Sequence, residues 1–142
     1  MERVVTTELG TIVACSEKGD SPRILIIDDD EQVRNFIRRC LEKADYTVHE
    51  ASDGRIGLNQ FHEYPFDVVI TDIIMPSKEG IEVILEIRRS DPNIKIIAIS
   101  GGGKIDADQY LALARNLGAF ATITKPFSAQ RLLDEVNNAL SS

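Results

Sequence analysis

Three features of this sequence predict an α/β fold, with a parallel sheet covered by helices on both faces. Short apolar runs recur along the chain, segments of helical period alternate with them, and Gly, Pro, Asn and Asp separate the two. A strand buried on both faces needs apolar residues at consecutive positions rather than alternate ones. Residues 23–27 (RILII) are the first such run. Val33, Phe36, Ile37, Cys40, Leu41 and Ala44 then fall at helical spacing and mark an apolar stripe. Residues 46–50 form the second strand, and Asp53 caps a second helix running to about residue 62. The third strand is 66–71 (FDVVIT). A loop containing Pro76 leads to a helix over 79–90 with Val83, Ile84 and Ile87 on its stripe; Asp91-Pro92-Asn93 ends it. The fourth strand is 94–99 (IKIIAI), followed by the flexible Gly101-Gly102-Gly103. A fourth helix spans about 106–117, with Gly118 as its C-terminal cap. The fifth strand is 120–124, and Ser128 caps a last helix with Leu132, Leu133, Val136 and Leu140 on its stripe.

Composition bounds the function. The chain has 142 residues, 43% of them hydrophobic and 27% charged, which suits one domain able to bury a core without metal or disulfide support. Residues 1–22 stand apart as an N-terminal extension and residues 23–142 form the domain. Val4, Val5, Leu9, Ile12 and Val13 leave two readings of the extension open, a poorly ordered tail or a docked segment. The net charge of −7 lacks the basic footprint of a nucleic-acid binder. No apolar run approaches the roughly 18 residues of a membrane span, and no signal peptide is visible. Cys15 and Cys40 sit in no metal-ligand pattern; Cys40 reads as a buried free thiol. A cytoplasmic location is expected. His49 and His62 stand alone and are read as solvated or packing residues.

Ligands of open parallel sheets bind beyond the carboxyl ends of the strands. Four of the five strands end in polar residues: Asp28-Asp29-Asp30, Thr71-Asp72, Ser100, and Thr124-Lys125-Pro126. Parallel strands bring these ends to one rim. Clustered carboxylates repel one another strongly unless a divalent cation lies among them. Oxygen-only ligands suit Mg²⁺ or Mn²⁺. A carboxylate beside such an ion can attack phosphorus, while the ion and an ammonium neutralise the transferring oxygens.

With these residues in this order, the sequence resembles the receiver domains of bacterial response regulators, including the single-domain chemotaxis type. The matching stretches are ILIIDDDE (24–31), VVITDIIMP (68–76) with Gly80, IIAIS (96–100) and TKPF (124–127). The resemblance implies a flavodoxin-like, doubly wound five-stranded parallel sheet of order 2-1-3-4-5. It implies Asp72 as the phosphoacceptor and Mg²⁺ (or Mn²⁺) held by Asp29 directly, Asp28 mainly through water, Asp72, and the Ile74 backbone carbonyl. Ser100 and Lys125 would contact the phosphoryl oxygens, and Pro126 would follow a cis peptide. Asp30 is read separately, as a cap or first-turn acid. The implied partners are a sensor histidine kinase or histidine phosphotransfer protein, and a downstream protein the sequence does not name.

Three departures from the family pattern stand out. Thr122 replaces the family's switch aromatic; Phe120, two residues earlier and on the same side of the strand, is read either as its substitute or, the expected role, as a core residue. The stretch from Ser100 to Lys125 is longer than usual. Ile74 and Gly102 occupy positions that tune the phosphoryl lifetime, and neither side chain can hold an attacking water, which implies slow to moderate autodephosphorylation. Tyr110 and Leu113 are either core residues or part of a partner surface. Other readings of the chain are a degenerate receiver acting only as an interaction module, a haloacid-dehalogenase-like phosphohydrolase using Asp28 and Asp30, and a mononucleotide binder using Gly101–Gly103.

Overall fold

Strands and helices alternate strictly in this computed structural model, which describes residues 21–73, 79–101 and 107–142. The elements are β1 (Arg23–Ile27), α1 (Glu31–Lys43), β2 (Thr47–Ala51), α2 (Gly54–Glu63), β3 (Val68–Asp72), α3 (Glu79–Ser90), β4 (Lys95–Gly101), α4 (Ala107–Asn116), β5 (Ala121–Lys125) and α5 (Ala129–Ser141). The five strands form one sheet in the order β2-β1-β3-β4-β5, with every neighbouring pair parallel. Fold class and strand order are those expected. Of the expected N-terminal extension, residues 1–20 lie outside the described residues.

Successive strand side chains alternate between faces, so each apolar run feeds two cores. Ile24 and Ile26 of β1, with Ile97 and Ile99 of β4, pack against Ile37 and Leu41 of α1 and Leu132 and Val136 of α5. Leu25 and Ile27, with Ile96 and Ala98, pack on the other face with Val83, Ile84 and Ile87 of α3 and Ala114 of α4. That double demand explains the near-continuous apolar runs.

Local signals set the helix ends. Asp30 caps α1, accepting from the Gln32 and Val33 amides, which is the role read for it from the sequence. Asp53 caps α2 and Ser128 caps α5. Gly118, just beyond α4, has φ +103°, a conformation that favours glycine.

The structure corrects several expectations. β3 runs through Asp72, β4 through Gly101 and β5 through Lys125, so the expected post-strand residues are the last rungs of the ladders. Phe120 is not core: it is 37% exposed, with the Lys95 ammonium 5.4 Å from its ring centroid. Phe36 lies at the edge of its helical stripe and is 41% exposed, its ring tilted against Phe127 at 5.9 Å. Ala44 is exposed and Cys40 half-buried rather than buried; partial burial still pushes the Cys40 thiol above its ordinary pKa. Leu113 is exposed. The Tyr110 side chain lies outside the described residues.

Candidate functional site

Asp28 follows β1 and is held on three sides. Its amide donates to the Ala51 carbonyl at 3.1 Å. Its Oδ1 accepts the Asp30 amide at 2.8 Å, and its carbonyl accepts Nη1 of Arg34 at 2.7 Å. Asp72 ends β3 opposite Ile99 of β4. The two carboxylates are 1% and 4% exposed. Order and register place them at adjacent strand ends, because β1 and β3 are neighbours although β2 intervenes in sequence.

Lys125 ends β5, opposite Gly101. Its ammonium donates to Asp72 Oδ2 at 3.0 Å and lies 3.1 Å from Asp28 Oδ2. The second contact is a close ion pair that lacks hydrogen-bond alignment, so among the described residues this buried Asp28 oxygen has no hydrogen-bond donor. Asp29 is exposed, and one oxygen from each of Asp28, Asp29 and Asp72 lies within 4.8 Å of the others.

The charges shift one another. Burial raises the Asp28 pKa and the neighbouring Asp72 adds to the rise; the Asp30 amide and Lys125 oppose it without cancelling it. Burial alone would lower the Lys125 pKa, but Asp72 and Asp28 outweigh it, so the ammonium is held above the ordinary lysine value. Among the described residues, two buried carboxylates share one ammonium, with the exposed Asp29 beside them, which leaves an excess of negative charge. Such an excess is expensive without a counter-ion. All the donors are hard oxygens, one of them lacking a hydrogen bond, and they fit Mg²⁺ or Mn²⁺ rather than a softer metal.

Ser100 is fully buried in β4, one residue past Asp72's register partner, and its hydroxyl donates to the Gly101 carbonyl at 3.3 Å. The Lys125–Pro126 peptide is cis. Thr122 lies three residues before Lys125; its hydroxyl accepts from Arg115 of α4 at 3.0 Å and its carbonyl from Arg131 of α5 at 3.2 Å. A groove of about 650 Å³ opens beside Lys125, with Val33, Phe36 and Phe127 in its lining. Ile74 and Gly102 lie outside the described residues. Gly80, at the start of α3, approaches so closely that an added Cβ would lie 2.6 Å from the Asp72 carbonyl.

Two residues absent from the sequence reading belong to this rim. Arg34 touches the Asp28 carbonyl, and Glu50 of β2 pairs with Arg34 at 3.3 Å and with Arg38 at 2.7 Å. The available signal was a basic residue in the first turn of a helix, where the macrodipole disfavours it. His49 is a packing residue, tilted against Tyr64, edge-on to Phe66 and in contact with Arg23 and Gln60. His62 is exposed and contacts Ser90.

Residues 24–137 match the family model described as response regulator receiver domain. The response regulator receiver protein CpdR of Brucella abortus is 33% identical over 83% of this chain and 96% of its own length. The chemotaxis protein CheY of Halobacterium salinarum is 32% identical over 84% of this chain and 98% of its own. The crystal structure of a response regulator receiver domain protein from Clostridium thermocellum superposes with a TM-score of 0.78 at 35% identity, covering 84% of this chain and 94% of that one. Among the described residues, no helix is long and apolar enough to cross a membrane.

Proposed function

Because the chain belongs to the family of response regulator receiver domains of two-component signalling, we propose that it is a phosphoryl-accepting switch with Asp72 as the acceptor. The observation that carries this reading is the buried pairing of Lys125 with both Asp72 and Asp28, within reach of Asp29.

The donor is a phosphohistidine on a sensor kinase or phosphotransfer protein. It reaches Asp72 at the rim where Lys125 and Asp28 gather. A carboxylate oxygen of Asp72 attacks phosphorus, the P–O bond forms, and the P–N bond breaks. Its electron pair returns to the donor imidazole, which takes up a proton. Asp28, Asp29 and Asp72, with the Ile74 carbonyl, would hold Mg²⁺, which supplies positive charge to the transferring oxygens. Lys125 neutralises a further oxygen, and the Ser100 hydroxyl turns from the Gly101 carbonyl to a phosphoryl oxygen. The domain then acts alone, by changing its binding to a downstream protein or by passing the phosphoryl group on. A cytoplasmic location fits that role.

Family membership removes support for the phosphohydrolase and mononucleotide-binder readings. A receiver that never takes phosphate remains the rival. Incubation with Mg²⁺ and phosphoramidate, followed by intact-mass measurement, separates the two. The wild type should gain one phosphoryl adduct, abolished by EDTA and absent in Asp72→Asn. An unmodified wild type would leave the interaction module as the better account.

A further inference from the structure

Arg34 stands where helix electrostatics argue against a cation. It is the fourth residue of α1, in the turn that carries the positive end of the macrodipole. Its side chain is nonetheless only 15% exposed. Nη1 donates to the Asp28 carbonyl at 2.7 Å and Nε to Glu50 Oε1 at 3.3 Å. Glu50 is itself paired with Arg38 at 2.7 Å, and its carbonyl accepts from the Gln60 side-chain Nε2 at 2.7 Å. The guanidinium therefore ties the edge strand β2 to the turn between β1 and α1.

The tie completes the hold on Asp28. Its amide is taken by Ala51, its Oδ1 by the Asp30 amide and its carbonyl by Arg34, while Oδ2 faces Lys125 and the other carboxylates. Arg34 donates to the far side of the Asp28 peptide, through its carbonyl. Glu50 offsets its charge.

We propose that Arg34 is a positioning residue for the divalent-cation site. Its guanidinium fixes the peptide of Asp28 and thereby the direction of the carboxylates, while Glu50 anchors and neutralises it. This rests on the reading of the cluster as a Mg²⁺ site. Residues behind metal ligands commonly change affinity by 10–100-fold when removed.

Positioning and bare charge predict opposite signs. A bare cation beside the cluster would repel Mg²⁺, so its loss would tighten binding. A strut would loosen it. Calorimetric titration of the full chain with MgCl₂ should show Arg34→Gln weakened about tenfold. Arg34→Lys should also be weakened, because one ammonium lacks the planar fork that reaches two acceptors. Arg38→Gln, which loses a Glu50 contact but touches no part of Asp28, should stay close to wild type. In metal-free protein, hydrogen exchange at the Asp30 amide should quicken in Arg34→Gln while the β4 amides keep their protection. Unchanged or tighter binding in Arg34→Gln overturns the proposal, as does equal weakening in Arg38→Gln. If circular dichroism shows Arg34→Gln unfolded, Arg34→Lys decides: affinity equal to wild type overturns it. A wild type that takes up no Mg²⁺ brings down the functional reading itself, whereas normal uptake by the Arg34 variants removes only the strut.

Discussion

Ile26 and Asp28 are two residues apart and almost equally hidden from solvent, at 0% and 1% exposure. Around Ile26 lie Ile24, Ile97, Ile37 and Leu132, with no charge among them. Around Asp28 lie a second carboxylate and an ammonium. Burial favours the first side chain and opposes the ionised form of the second. The apolar layers thus hold the sheet together, and the rim holds charges that the layers force into proximity. Stability and chemistry are separated along two residues of one strand end.

Substitutions in the two regions should therefore fail in opposite ways. The largest effect is expected in the layer. Ile26→Ala should lose about 2–5 kcal/mol in urea denaturation and leave the Mg²⁺ affinity of the folded protein unchanged. A large affinity loss in that variant would break the separation.

Asp28→Asn should show the reverse. Metal-free, it should gain roughly 0.5–2 kcal/mol, as when a functional site is relieved of strain, while its Mg²⁺ affinity falls. The pH dependence has a definite sign. The folded pKa of Asp28 is raised, so its favourable contribution is complete below the unfolded carboxylate value and is lost as pH rises through the folded one. Thermal melts in EDTA should show wild type losing stability over that window relative to Asp28→Asn. A variant less stable than wild type at neutral pH would contradict the assignment of cost to the rim.

The smallest effect sharpens the boundary between the regions. Asp30 is the third acid of the same run, yet its carboxylate caps α1. Asp30→Ala should lose about 1 kcal/mol in the same denaturation assay and keep both Mg²⁺ affinity and adduct formation. Loss of the adduct would move Asp30 into the site.

Much of this was legible in the residues. The caps Asp30, Asp53 and Ser128 and the turn glycine Gly118 depend on neighbours within a few positions, and each was read correctly. The aspartates and lysine of the rim were legible as an ordered set. The aromatic residues were not. Phe36 and Phe120 have core composition, but their exposure depends on where the next element lies, and both face outward. Arg34 was missed because its partners are a distant glutamate and a backbone carbonyl, which no side-chain pattern announces.

By itself the sequence determined the alternation of elements and their caps, because these follow from periodicity and local hydrogen bonding, and it set the acids and the lysine at the ends of strands. Only the tertiary structure decided that Lys125 meets Asp72 across 53 residues of chain, that Asp28 joins them, and that Arg34 grips Asp28 from behind. Those contacts arise from strand order and register, which many side chains packed on both faces set together and which no short stretch of sequence encodes alone.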